Sequence, residues 1–190
     1  MEINQRSTCC VVAVLALLRA QLQAGPSHVL ANEKIRVTIS EAGSLNAVEN
    51  LLASEIYSFS SDSFALDTDL GLFSNSNARP TRVTADKERV VFHFEFGLRD
   101  SHGSGTISAD LVYTMAGNNG FFRRALSLSN ATPVRLENVA FGPTTFSAPA
   151  RETIHYVTFI AAPTVEFIRH DKGGLFTGIE NPYFRADLSE

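Results

Sequence analysis

Along most of the chain, apolar residues recur at every second position. Ile35, Val37 and Ile39 share one parity, with Lys34, Arg36 and Thr38 on the other. Val90, Phe92, Phe94 and Phe96 alternate with Val91, His93 and Glu95, and Ile107, Ala109, Leu111 and Tyr113 form a third run. Leu126 and Leu128 alternate with Ala125, Ser127 and Ser129; further runs cover Ile154, Tyr156, Thr158 and Ile160, then Val165 and Phe167. Successive side chains of an extended strand point to opposite faces, so a period of two predicts strands with one face on a core and one toward water. Buried parallel strands read instead as unbroken apolar runs, so the alternation favours antiparallel sheets.

The breaks between runs carry turn chemistry. Glu41-Ala42-Gly43-Ser44, Asp100–Gly105, Gly117-Asn118-Asn119-Gly120, Asn130–Pro133 and Lys172-Gly173-Gly174 supply Gly, Asn or Pro where the chain must reverse. Gly117–Gly120, between the third run and the run ending at Ser129, predicts a hairpin. Many short strands with turns between them predict an all-β, antiparallel two-sheet β-sandwich. One stretch dissents. Leu45, Val48, Leu51 and Leu52 recur at helical spacing, so propensity reads a short helix where tertiary context would read a strand with a bulge, and both stay open. Ser58–Pro80, rich in Ser, Asp and Asn, reads as mostly loop.

The first 24 residues differ from the rest. A polar start with Arg6 leads into the apolar stretch Thr8–Leu18, then a polar segment ending Leu22-Gln23-Ala24 before Gly25-Pro26. This is the order of a secretory signal, too short for a membrane span; a helix buried in the fold is the competing reading. Neither Cys9 nor Cys10 ends the apolar stretch, which argues against a lipoprotein. The expected organisation is a signal peptide over 1–24 and a single β-sandwich domain over 25–190, secreted or periplasmic. Cleavage after Ala24 would remove both cysteines, so the mature domain would have no disulfide, cysteine nucleophile or cysteine-based metal site.

Composition narrows the class. At 190 residues the chain is shorter than the roughly 250 of a catalytic (β/α)8 barrel. With 44% hydrophobic and 19% charged residues it is too apolar to be disordered, and no apolar run is long enough to span a membrane. A formal charge of −4 argues against nucleic acid and anionic lipid as partners.

Local motifs for catalysis are missing. His28, His93, His102, His155 and His170 show neither the i, i+4 nor the i, i+2 spacing that converges on one metal. Asp62, Asp67 and Asp69 form an acidic cluster without calcium-loop spacing and read as a solvated loop. Gly103-Ser104-Gly105 lies in a turn rather than a nucleophile elbow, and Lys172-Gly173-Gly174 lacks the order of a phosphate loop. Asn130-Ala131-Thr132 is a glycosylation sequon followed by Pro133. There is no Trp to stack on a sugar, leaving Tyr57, Tyr113, Tyr156 and Tyr183 as aromatic platforms, while the 14 Phe read as core. No catalytic, cofactor or metal residue is assigned.

Three stretches together resemble a known family. They are Ala31–Ile39 followed by Gly43-Ser44-Leu45; Gly120-Phe121-Phe122-Arg123-Arg124 running through Ala125–Asn130 to Val134-Arg135-Leu136; and Phe167–Gly174 continuing as Leu175-Phe176-Thr177-Gly178-Ile179-Glu180-Asn181-Pro182-Tyr183. They resemble the N-terminal β-supersandwich of α-galactosidase-like glycoside hydrolases, the last stretch most specifically. The resemblance implies a supersandwich-like module without catalytic activity alone, because in such enzymes the catalytic carboxylates belong to the barrel that follows. That barrel is absent from these 190 residues, so the chain reads as truncated or as the partner of a separately encoded catalytic domain. Carbohydrate or a glycosidase catalytic domain is the implied partner, with Glu180, Asn181 and Tyr183 as carbohydrate or interdomain contacts; a strand-end carboxylate satisfied locally is the plainer reading of Glu180. The alternative is a stand-alone carbohydrate-binding or adhesive sandwich.

Overall fold

The computed structural model describes residues 27–100, 103–130, 134–142, 144–146, 152–157 and 163–178, and among them there are fifteen strands and no helix. In chain order these are β1 (Ser27–Ala31), β2 (Ile35–Ser40), β3 (Leu45–Asn50), β4 (Glu55–Ser61), β5 (Phe64–Thr68), β6 (Gly71–Ser74), β7 (Arg82–Ala85) and β8 (Arg89–Asp100). They continue as β9 (Gly103–Thr114), β10 (Arg123–Asn130), β11 (Leu136–Phe141), β12 (Thr145–Phe146), β13 (Glu152–Val157), β14 (Pro163–Arg169) and β15 (Gly174–Gly178). Every pairing is antiparallel. The ladders form four open sheets: β1-β2-β3-β4-β12, β10-β9-β8-β7, β11-β5-β6 and β13-β14-β15.

Register explains which side chains become core. In the first sheet, Leu30 pairs with Val37, Val37 with Val48 and Val48 with Tyr57. This row is 0–2% exposed throughout. The flanking rows, such as Ala31–Arg36–Glu49–Ile56, face outward. In the second sheet the buried rows are Val90–Tyr113, Phe92–Leu111, Phe94–Ala109 and Phe96–Ile107, the predicted alternation in full.

The two inward faces and β5 share one core. Phe92 lies edge-on to the His28 ring at 5.3 Å; Phe64 of β5 meets Phe94 at 5.3 Å; Phe73 of β6 meets Phe96 at 5.3 Å. Each fully buried Phe, Leu or Val is worth roughly 1.5–3 kcal/mol, so this core outweighs any surface contact.

One reading left open is decided and one expectation is overturned, each for a physical reason. Residues 45–50 are a strand, and the helical spacing of Leu45 and Val48 is a bulge. Thr38 pairs with Ala47 but Ile39 with Leu45, so Asn46 is the extra residue. A bulge shifts parity by one, which lets Leu45 and Val48 both point inward while Asn46 is exposed. Leu51 and Leu52 then belong to the turn into β4, where Leu52 is exposed.

The departure is Ser58–Pro80, which contains most of β4 and all of β5 and β6 rather than mostly loop. Its polar residues misled because several are buried and hydrogen-bonded. Buried Asn75 accepts from the Phe64 amide at 2.8 Å and donates to the Ala42 carbonyl at 3.2 Å.

The predicted hairpin at Gly117–Gly120 joins β9 to β10, with Arg123 opposite Thr114. Asn32, in the β1–β2 turn, clamps this hairpin by donating to the Gly117 and Asn119 carbonyls at 3.2 and 2.7 Å. Gly43, in the β2–β3 turn, has φ +78°, and a Cβ there would stand 3.0 Å from Leu111 Cδ2 and 3.2 Å from Phe92 Cγ. Glycine is required on both counts.

Candidate functional site

The residues expected to contact carbohydrate or a partner domain, Glu180, Asn181 and Tyr183, lie outside the described residues, as does the expected signal segment 1–24. The structure does place the segment leading to them. Phe167–Gly174 reverses direction between β14 and β15, with Arg169 opposite Gly174 and Val165 opposite Gly178. The His170 amide closes the turn on the Gly173 carbonyl at 2.9 Å. Leu175–Gly178 of this stretch belong to β15, and Ile179 lies outside the described residues. Its tight approach lies at Gly174, where a Cβ would sit 2.6 Å from the Ile168 carbonyl oxygen.

This turn rests against the β3–β4 turn. The Tyr57 and His170 rings are 4.9 Å apart, Phe146 lies 5.9 Å from His170, and the Lys172 amide donates to Glu55 Oε1 at 3.2 Å. The Tyr57 hydroxyl donates to Glu55 Oε2 at 2.9 Å. Desolvation opposes the Glu55 charge, but hydrogen bonds from Tyr57, Lys172 and Asp171 together with the field of His170 outweigh it, and its pKa is lowered. Burial, reinforced by the hydrogen bond to Glu55, pushes the Tyr57 phenol up to about 12. A carboxylate, a phenol and an imidazole thus converge here, but Tyr57 is 1% exposed, so the cluster joins two turns rather than opening to a substrate.

A second cluster lies beside the core. Asp62, in the β4–β5 link, has a fully buried side chain, correcting the reading of Asp62, Asp67 and Asp69 as one solvated loop; Asp67 and Asp69 are exposed. Asp62 Oδ1 accepts from Arg124 Nη1 at 2.7 Å and from the Thr144 hydroxyl at 2.8 Å, and Oδ2 accepts from the Leu45 amide at 2.7 Å. Arg124 Nη2 donates to the Ser63 carbonyl at 3.2 Å, and the guanidinium sits over the rings of Tyr113 and Phe141. Tyr113 itself donates to the Gly43 carbonyl at 2.8 Å. Burial raises the Tyr113 pKa, Arg124 pulls it back in part, and Asp62 adds to the rise. Asp62 therefore fastens β10 to the links after β4 and β11. Its hydrogen bonds go to the protein itself, which makes it a structural group.

The third cluster is on the outer face of the second sheet. His93 pairs across the ladder with Asp110 and Arg82, and Asp110 with Ser127. His93 Nδ1 lies 2.6 Å from Asp110 Oδ1, and Nε2 lies 3.5 Å from Glu95 Oε1. An imidazole held between two carboxylates offers polar groups to a hydroxyl-bearing ligand. A glycosidase pair holds the scissile bond between its two carboxyl groups. Here the imidazole occupies that place. Among the described residues, no group of three His, Cys, Asp or Glu side chains is arranged to hold a metal ion, and no helix is long and apolar enough to cross a membrane.

Sequence reasoning did not single out Tyr57 with Glu55, Asp62 with Arg124, or His93 with Asp110 as pairs. One signal was readable: Arg124 has the same parity as Leu126, which packs on the core, so a cation shared the parity of a core-facing residue. Pairing Asp62 with Arg124 and His93 with Asp110 needed register, because the partners are 62 and 17 residues apart in the chain, whereas Tyr57 and Glu55 are neighbours of one parity on β4. In comparisons with protein-family models, curated proteins and solved structures, nothing matches this chain.

Proposed function

We propose that this chain is a non-catalytic, supersandwich-like module of an exported α-galactosidase-like glycoside hydrolase. It would support a separate catalytic barrel and contribute Glu180, Asn181 and Tyr183 as contacts to carbohydrate or to that barrel. The observation that carries the reading is the β14–β15 hairpin. The most specific stretch of the resemblance folds as strand, Gly173-Gly174 turn, strand, with the steric need for glycine at Gly174. The all-antiparallel architecture with opposed inward faces is consistent with a sandwich of this class.

The test is turnover and partnership. The purified chain should leave chromogenic α-galactosides intact, while DNA beyond codon 190 or an adjacent gene should encode a barrel. Hydrolysis by the chain alone, abolished by a single Asp or Glu substitution, would overturn the proposal.

A stand-alone carbohydrate-binding or adhesive module is the second reading, favoured by the outward row Arg82–His93–Asp110–Ser127. It loses two of its four aromatic platforms, because Tyr57 and Tyr113 are buried. Under this reading, glycan-array or calorimetric binding would be lost in a His93→Ala, Asp110→Asn variant; binding that survives it, or silence from the unmodified chain, counts against the reading.

A further inference from the structure

The turn between β9 and β10 contains Asn119-Gly120, the single Asn-Gly step in the chain. Asn118, Asn119 and Gly120 are all exposed. An asparagine carries its amide carbon within ring-closing reach of the next residue's main-chain nitrogen. The next side chain normally obstructs that closure, and glycine has none. Neighbouring Asn118 is placed differently: Asn119, with its Cβ, follows it, and its amide donates to Glu33 Oε2 at 2.6 Å.

The same turn is the one that Asn32 clamps. Asn32 Oδ1 accepts from the Lys34 and Ile35 amides at 2.8 and 3.0 Å, which fixes the side chain on its own turn. Its Nδ2 is thereby aimed at the Gly117 and Asn119 carbonyls. Asn119 ties the turn together by donating from Nδ2 to the Ala116 carbonyl at 2.7 Å.

We propose that Asn119 is a self-modification site, where deamidation with water as co-reactant rebuilds the turn and releases it from Asn32. The Gly120 nitrogen gives its proton to solvent base and bonds to Asn119 Cγ. The Cγ–Nδ2 bond then breaks, and Nδ2 takes a proton and leaves as ammonia. Water opens the cyclic imide, with no change of oxidation state. Breaking the bond from nitrogen to Cγ leaves aspartate. Breaking the bond from nitrogen to the Asn119 carbonyl carbon leaves isoaspartate, with one more carbon in the main chain.

Either product is an ionised carboxylate, which accepts hydrogen bonds but cannot donate. The bond to the Ala116 carbonyl is lost, and a negative charge joins a turn that Glu33 already touches. In isoaspartate the carbonyl that Asn32 grips becomes the free carboxylate, displaced from the Gly117 carbonyl by the longer main chain. Asn32, held by Lys34 and Ile35, does not follow it. The conversion accumulates with the age of the chain and stands independently of the function proposed above.

Ageing the folded full chain at mildly alkaline pH tests the site. The tryptic peptide Asp100–Arg123 holds Asn118 and Asn119 and no other asparagine. It should gain the mass of OH in place of NH2 at Asn119 before any other asparagine of the chain converts, with isoaspartate among the products. Gly120→Ala should abolish this gain over the same period. Should that variant fail to fold, Asn119→Gln keeps a side-chain amide, enlarges the ring by one carbon and should likewise stay unconverted. In the converted chain, the nuclear magnetic resonance signals of the Asn32 side-chain amide should move to those of an exposed asparagine, while the Phe92 and Leu111 amides keep theirs. A folded chain that stays unconverted while the urea-unfolded chain reacts overturns the proposal. So do earlier conversion at another asparagine, undiminished conversion in either variant, and unmoved Asn32 signals after conversion.

Discussion

Asp62–Arg124 and His93–Asp110 are both acid–base contacts of 2.6–2.7 Å that join neighbouring parts of the fold, yet they stand in opposite surroundings. The Asp62 side chain is fully buried and Arg124 is 14% exposed, whereas Asp110 is 43% exposed on an open sheet face. Equal distances therefore do not mean equal energies. Removing one partner of a buried pair leaves an uncompensated charge and costs about 3–5 kcal/mol, while an exposed pair contributes about 0.2–1 kcal/mol. Geometry alone would have singled out His93, where the chemistry is visible; burial singles out Asp62.

The comparison can be broken at its strong end first. Asp62→Ala should lower stability by about 3–5 kcal/mol in urea unfolding, because Arg124, Thr144 and the Leu45 amide all lose their acceptor. A loss under 1 kcal/mol would place the two pairs in one class.

Next is the hydroxyl beside that pair. Tyr113→Phe should cost about 1–2 kcal/mol by leaving the Gly43 carbonyl without its buried donor, with the ring packing kept.

The Tyr57 phenol gives a pH-dependent effect. Its folded pKa of about 12 exceeds the ordinary 10.0, so its stabilising contribution is complete below pH 10 and is lost as pH rises from 10 through about 12. An absorbance titration at alkaline pH should show one phenol ionising near 12 in the folded chain and near 10 once urea has unfolded it.

The smallest effect belongs to the outer face. Asp110→Asn should change stability by at most about 1 kcal/mol, and 1 M salt should erase most of that difference while leaving the Asp62 effect nearly intact.

The sheets were legible in the sequence wherever parity ran unbroken. Ile35–Ile39, Val90–Phe96 and Ile107–Tyr113 form strands whose inward residues are those expected. Legibility failed where one residue broke the count or a polar residue went inside. Asn46 shifts the parity of β3 and gives Leu45 and Val48 the spacing of a helix. Asp62, Thr68, Ser74 and Asn75 are buried through bonds to distant or structurally formed partners that composition reads as solvation. The polar clusters depended on cross-strand register: nothing local in Phe92–Phe94 says that Asp110 lies beside His93. The Gly173-Gly174 turn was readable as a reversal, but not that Gly174 crowds Ile168 and Phe167 of its own sheet while Gly173 crowds Tyr57 and Asn50.

The seating of Tyr57 has an optical consequence. The chain contains no tryptophan and four tyrosines, so its near-ultraviolet emission comes from phenols alone. One phenol sits in the core beneath Arg124 and another donates its proton to the carboxylate of Glu55, an arrangement that drains the excited state. Unfolding would free Tyr57 from that carboxylate and brighten it. The molecule therefore carries a label for the state of its fold, readable without any attached dye.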